Sequence, residues 1–194
     1  MNSEPVELAI ASTVKNGDRE LRIEIAEPQQ DHTTRSWQCT YRVEGARAHI
    51  AHGPDRLAAI YAAMIDIPNA AARASSGRPA ESDRSRVRVG PRQRVGNSTG
   101  SATKAREFGP HLAARAVHTA EGPVVITLGR PRQDPDRPHT YLCPFRIDDR
   151  TEAFGQGMNE VHAVMSAIRG VGAILGIPLD WPMPSTPATR AADR

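Results

Sequence analysis

Trp37-Gln38-Cys39-Thr40-Tyr41-Arg42-Val43 returns later in the chain as Tyr141-Leu142-Cys143-Pro144-Phe145-Arg146-Ile147. The offset is 104 residues, and at that offset Gly53 falls on Gly157, Ala59 on Ala163 and Ala63 on Ala167. Slightly upstream, Leu21-Arg22-Ile23-Glu24-Ile25 with Pro28 matches Val124-Val125-Ile126-Thr127-Leu128 with Pro131. A likeness sustained through strand, turn and helix patterns reads as a duplicated structural unit.

The first copy begins with Val6, Leu8 and Ile10 alternating with Glu7 and Ala9, the pattern of a half-buried strand. Asn16-Gly17 is a hairpin turn signal. Leu21, Ile23 and Ile25 then face one way and Arg22 and Glu24 the other. Pro28 to Ser36 is polar and reads as a loop. The Trp37–Val43 strand follows, and Gly45 turns the chain into a short fourth strand ending near Ile50. Gly53-Pro54-Asp55 opens a helix, with proline suited to the first helical position and Asp55 to the positive end of the dipole. Leu57, Ile60, Tyr61, Met64 and Ile65 make one apolar stripe, and Pro68 is expected to stop it.

The second copy repeats this order. His111 to Thr119 is a weak strand candidate, Val124, Ile126 and Leu128 a clear one, and Tyr141 to Ile147 the third, with Phe154 where Ile50 stood. Pro144 predicts an edge strand or a bulge. The helix after Gly157 carries Val161, Val164, Met165, Ile168, Val171 and Leu175 to about Gly176, and Leu179 and Trp181 are placed to pack back on the core. The expected fold class is α+β: two β-β-β-β-α units, each an antiparallel sheet with one helix packed on it. The first unit covers 5–70 with a shortened helix, a disordered Arg-rich linker 71–109, the second unit 110–181 and a disordered tail 182–194.

Charge follows this division. The chain has 194 residues and a net charge of +3, yet residues 73 to 106 hold 9 Lys/Arg against 2 Asp/Glu. The remainder holds 16 basic and 20 acidic residues, so the basic character belongs to the linker. Ser, Gly and Pro content there reads as a solvated spacer, although Val87, Val89 and Val95 have weak strand character. Two cysteines, one per unit, do not make a disulfide framework. Glu4 and Glu7 interrupt any opening apolar stretch, and no run of about 18 apolar residues exists, so neither a signal peptide nor a membrane span is expected and the expected location is cytoplasmic.

The phrase aromatic-x-Cys-x-aromatic-Arg-aliphatic, then a turn, a short strand, Gly and an amphipathic helix, resembles a family of small bacterial domains of unknown function. Leu128-Gly129-Arg130-Pro131 and the terminal Leu179-x-Trp181 strengthen the likeness in unit two. Unit one has Ala26-Glu27-Pro28 in place of the first phrase and lacks the terminal Trp. The resemblance implies a fold and no established activity, so no catalytic residue is carried over.

Candidate chemistry is sparse. Cys39 and Cys143 lie mid-strand between aromatics, where free cysteine packs as a small hydrophobe; a disulfide between units requires the two strands to meet. His49-x-x-His52 has Ala153 and Gln156 as its counterparts and splays its side chains on a strand end, so no metal is expected. Gly170-Val171-Gly172 lies late in a helix and not after a strand, so no dinucleotide cofactor is expected. Arg42 and Arg146 recur on the outward strand face and are the candidate partner-binding pair. Arg84, Arg86, Arg88, Arg92 and Arg94 are candidate phosphate contacts in the linker, without the interleaved aromatics that base stacking needs.

No nucleophile elbow and no matched catalytic set appears, so the expectation is a non-enzymatic protein-interaction module with an unidentified protein partner. Its two units are expected to pair as an intramolecular pseudo-dimer or to enter a homo-oligomer. By analogy such a domain serves as a regulatory or antitoxin- or immunity-like partner. The alternative is weak, sequence-nonspecific nucleic-acid association through the linker.

Overall fold

The computed structural model describes residues 7–16, 19–76, 108–177 and 181–182. Val6, Gly17, Arg84, Arg86, Arg88, Arg92, Arg94, Val87, Val89, Val95, Leu179 and the tail from 183 onward lie outside the described residues.

Unit one opens with β1 (Leu8–Asn16) paired antiparallel to β2 (Arg19–Ala26), with Ile23 opposite Ser12 and Arg19 opposite Asn16. β4 (Ser36–Val43) is the central strand. One of its edges is shared by β2 and by the three-residue β3 (Gln29–Asp31), and β5 (His49–Gly53) lines the other. The helix α1 (Arg56–Ser76) covers one face. Unit two follows with β6 (His111–Thr119), β7 (Gly122–Gly129), β8 (Arg132–Asp134), β9 (Arg137–Ile147), β10 (Thr151–Gly157) and α2 (Glu160–Leu175). The architecture is α+β, two antiparallel sheets each followed by a helix.

Strand pairing agrees between the two sheets. Ile25 faces Tyr41 and Leu128 faces Phe145; Cys39 faces Ala51 and Cys143 faces Gly155; Trp37 faces Gly53 and Tyr141 faces Gly157. Even the irregularity near the start of the first strand recurs, at Leu8/Ile10 and at His111/Ala113. The tight turn is stitched alike: the Arg22 amide donates to the Glu44 carboxylate at 3.1 Å and the Val125 amide to Asp148 at 2.7 Å.

Three differences from the sequence reading have physical causes. Each sheet has a fifth, short strand in the polar stretch expected to be loop. Asp31 organises the first, accepting from the Thr33 amide at 2.8 Å and from Thr34 and Gln38 side chains, which turns the chain back onto β4. Pro68 does not end α1, which continues to Ser76. Proline in a helix interior forfeits one hydrogen bond and crowds the preceding turn, but burial of Ala70 and Ala71 beyond it and the ties from Asp66 to Asn69 and Arg73 hold the last turns. Pro144 sits on an interior strand, not an edge. On one side of β9 the partner changes from β8, ending opposite Leu142, to β7, starting opposite Phe145, and Pro144 falls in that gap.

Each helix begins on a capping side chain. Asp55 accepts from the Ala58 amide at 2.8 Å and Asn159 from the His162 amide at 2.9 Å, so Asp55 is the cap itself and Pro54 precedes it. α2 ends at Gly176, whose φ of 62° is the left-handed cap that glycine adopts without cost. The inward side chains of both sheets and both helices form one hydrophobic cluster that includes Ile23, Ile25, Leu57, Ile126, Leu128 and Val164.

Candidate functional site

The cluster is continuous because the units strap onto each other. Arg130, just past β7, donates to the Leu8 carbonyl at 3.0 Å and pairs with Glu27, whose other oxygen accepts from Arg56 at the start of α1. Glu160, at the start of α2, accepts from the Ala11 amide of β1 at 2.8 Å. Arg115 of β6 meets the α1 cap Asp55 at 3.3 Å. Thus the N-terminal end of each helix reaches the first strand of the opposite unit. Burial pushes the Glu160 carboxyl above its ordinary range, against the Ala11 N–H that favours its charged form.

Two grooves flank this junction at corresponding places. The first runs between β1/β2, α1 and α2, with a volume of about 670 Å³, lined by Val14, Ile23, Met64, Met158, Met165 and Arg169 among others. Met158, in the wall of this groove, is 76% exposed. In the second, Trp181 lies beside Tyr61, Ile168 and Gly172. Trp181 is only 6% exposed, and the carbonyl of Pro182 accepts from Arg115. Tyr61, Ile168 and Gly172 stand 104 residues from Met165, Met64 and Pro68, which line the first groove.

The residues singled out from sequence fall elsewhere. Arg42 and Arg146 both lie outward on their strands but have different surroundings. Arg42 is exposed in a shallow depression with Arg22, Glu24 and Glu44. Arg146 pairs with Glu152 at 3.0 Å and lies 4.9 Å over the Phe108 ring. The two are not brought together with each other or with the grooves. Arg84, Arg86, Arg88, Arg92 and Arg94 lie outside the described residues.

The cysteines are core residues. Both are fully buried and free, with thiols directed at the Ala26 carbonyl (3.5 Å) and the Gly129 carbonyl (3.4 Å). Burial pushes each thiol up to about 12, with the Glu27 charge adding to the effect on Cys39. His49 stacks on Tyr41 with centroids 5.4 Å apart, while His52 is exposed, so the His-x-x-His pair does not converge. Among the described residues no group of three His, Cys, Asp or Glu side chains stands close enough to hold a metal ion. Gly170 is inside α2, where an added Cβ would sit 3.4 Å from the Phe145 ring, an ordinary contact distance, and it does not follow a strand. Among the described residues no helix is long and apolar enough to cross a membrane.

Sequence reasoning missed the grooves, because their walls come from both units. The usable signal was compositional: of the chain's five methionines, Met64, Met158 and Met165 converge on one groove. Methionine is the side chain suited to adaptable binding surfaces.

Residues 9–79, spanning β1 through α1, match a family model described as a domain of unknown function (DUF6968). The match lies on unit one, whereas the family resemblance read from the sequence was fuller in unit two. It also runs past Pro68, in agreement with the observed length of α1. No curated protein and no solved structure matches the chain.

Proposed function

We propose that the chain is a non-enzymatic protein-interaction module, made by tandem copying of one sheet-and-helix unit and folded so that the two copies imitate a homodimer. The observation that carries this reading is the groove lined by Met64, Met158 and Met165, whose walls come from both units. An apolar groove with adaptable walls suits a protein segment. The common strand register at a nearly constant offset supports the copying. A bacterial origin, a cytoplasmic location and a regulatory or antitoxin- or immunity-like role belong to the same proposal. Selection of a displayed random-peptide library on the full chain tests it. Enrichment of a shared peptide motif is expected, and recovery of no motif beyond that on an unrelated protein contradicts the reading.

The alternative, sequence-blind nucleic-acid association through Arg84, Arg86, Arg88, Arg92 and Arg94, draws its support from the linker's charge alone. Fluorescence anisotropy of DNA and RNA with the full chain separates the two. The interaction-module reading expects no salt-sensitive binding, and a steep loss of affinity with added salt is the signature of the alternative.

A further inference from the structure

β1 is the outermost strand of its sheet, with β2 on one side and no strand on the other among the described residues. Backbone groups of such a strand alternate between its two sides. The Ala11 amide points away from β2, since it donates to the Glu160 carboxylate of α2 at 2.8 Å. The unbroken register from Ile10 to Asn16 then turns the amides and carbonyls of Thr13 and Lys15 to that same side. Part of this edge is covered: Arg130 donates to the Leu8 carbonyl at 3.0 Å, and Glu160 takes the Ala11 amide. The rest is open. Thr13 and Lys15 are exposed, and among the described residues no hydrogen bond reaches their outward backbone groups. An uncovered strand edge is a template for another strand.

The open stretch borders the first groove. Val14, between Thr13 and Lys15, shares the face of the buried Ile10 and lines that groove, across from Met165 and Arg169 of α2. A strand laid along Thr13–Lys15 would turn every second side chain to the Val14 face, toward the Met64 and Met165 walls. The alternate side chains would stand on the outer face, beside Thr13 and Lys15. Charge then selects among occupants. No Asp or Glu lines the groove, whereas Arg169 and His162 do. Lys15 and Arg169 are exposed, and neither forms an ion pair among the described residues. The chain's own segment 73–106, with 9 Lys/Arg against 2 Asp/Glu, is disfavoured there by its charge. A second copy pairing through its own β1 would offer Ala11, Thr13 and Lys15 on the outer face, with no carboxylate among them.

We propose that the Thr13–Lys15 edge of β1 and the adjoining groove dock an extended segment of a partner protein, apolar and acidic at alternate positions, which adds to the sheet of unit one as a further strand. This rests on the interaction-module reading and names its site and the form of its ligand. Backbone hydrogen bonds to Thr13 and Lys15 supply affinity, and the groove selects the alternate side chains. The apolar ones enter between the methionines, whose flexible side chains adapt to their shape. The acidic ones meet Lys15, and Arg169 adds positive charge at the rim. The Glu160 carboxylate already does for the Ala11 amide what a partner carbonyl would do for Thr13.

The test selects a displayed random-peptide library on the full chain and resynthesises the tightest binder with a fluorescent label. The enriched motif is expected to alternate apolar and acidic residues. At saturating peptide, amide hydrogen exchange is expected to slow about tenfold or more at Thr13 and Lys15, with Ser12 and Val14, which face β2, unchanged. Thr13→Pro removes one outward donor at a place where an edge strand tolerates proline, and is expected to weaken peptide binding about tenfold. Ala116→Pro, at the matching place on β6, is expected to leave binding unchanged. Arg169→Glu, at an exposed position, is expected to weaken binding and flatten its salt dependence. The exchange measurement needs no variant, so it decides the matter even if Thr13→Pro does not fold. Four results would overturn the proposal: a motif with apolar residues at helical spacing; unaltered exchange at Thr13 and Lys15; equal binding by Thr13→Pro; or a native chain that sediments as a dimer and a Thr13→Pro chain that sediments as a monomer, meaning a second copy holds the edge. The first three leave the interaction-module reading intact, whereas a selection that yields no motif removes both.

Discussion

In unit one the hydroxyl of Tyr41 donates to the Asp66 carboxylate across the gap between β4 and α1. In unit two the same two places are Phe145 and Gly170, which make no polar pair, and a Cβ added at Gly170 would meet the Phe145 ring at 3.4 Å. One slot between sheet and helix is thus filled in two ways. The polar solution adds Asn69 and Arg73 around Asp66, whose carboxyl is held at about 2, chiefly by the Tyr41 hydroxyl and Asn69, with Arg73 adding to it. Burial pushes the Tyr41 phenol up to about 12, with the Asp66 hydrogen bond adding to it. The apolar solution needs no partners and does not titrate. The lesson is that the fold depends on filling the slot, while pH response depends on what fills it.

The largest expected effect tests the contrast between the two helix ends: beyond α2 the described residues include the buried Trp181, and beyond α1 they include no counterpart. Trp181→Ala removes a buried indole from the wall of the second groove and is expected to cost about 3 kcal/mol, read as a lowered denaturant midpoint. A change near zero would show that Trp181 is not part of the core. Next comes the helix–sheet spacing. At Gly155 an added Cβ would lie 2.1 Å from the Ala167 amide nitrogen, whereas the counterpart Ala51 already has a Cβ. Gly155→Ala is therefore expected to cost about 2 kcal/mol through overpacking, and Ala51→Gly about 1 kcal/mol through chain entropy. Equal costs at the two sites would mean that α1 and α2 sit at the same distance from their sheets.

A smaller effect separates the two slots by pH. A carboxyl whose folded value lies below its usual 3.8 contributes stability that is complete above that value and is lost as pH falls through about 2. Asp66 is partly exposed, so solvent screening limits the size. The gap in denaturant midpoint between the native chain and Asp66→Asn is expected to be open at pH 7 and nearly closed at pH 2. A gap independent of pH would remove the Tyr41–Asp66 pair from the account. The smallest effect is none at all: both thiols are expected to stay silent to a disulfide reagent at pH 8 until the chain unfolds, and then to react together. Early reaction of one alone would break the equivalence of the units.

Much of the fold was legible because burial of one sheet face imposes a two-residue period, and the Trp37–Val43 phrase shows it twice. The helix stripes and the Gly176 stop were legible for the same reason, with a period set by the helix. Pro68 misled because local cost was weighed without the burial of Ala70 and Ala71 beyond it. β3 and β8 were missed because three residues show no period; their pairing comes from turn chemistry at Asp31 and from the partner change along β9. Of the site, Arg42 and Arg146 were legible as outward side chains, but not that Phe108 and Glu152 engage only Arg146. The grooves were not legible from periodicity, and the methionines were their one compositional trace. The first requires β1 and α2 to be neighbours, a contact across 149 residues between Ala11 and Glu160, and the second brings Tyr61 of α1 to Ile168 of α2.

The proposal that the two units act as one interlocked body is tested most directly by native-state hydrogen exchange of the amides in β4 and β9 under rising denaturant. Straps at Arg130–Glu27, Glu160–Ala11 and Arg115–Asp55 join the halves, so both strands are expected to converge on one opening free energy. Separate isotherms, with one strand exchanging while the other stays protected, would contradict it.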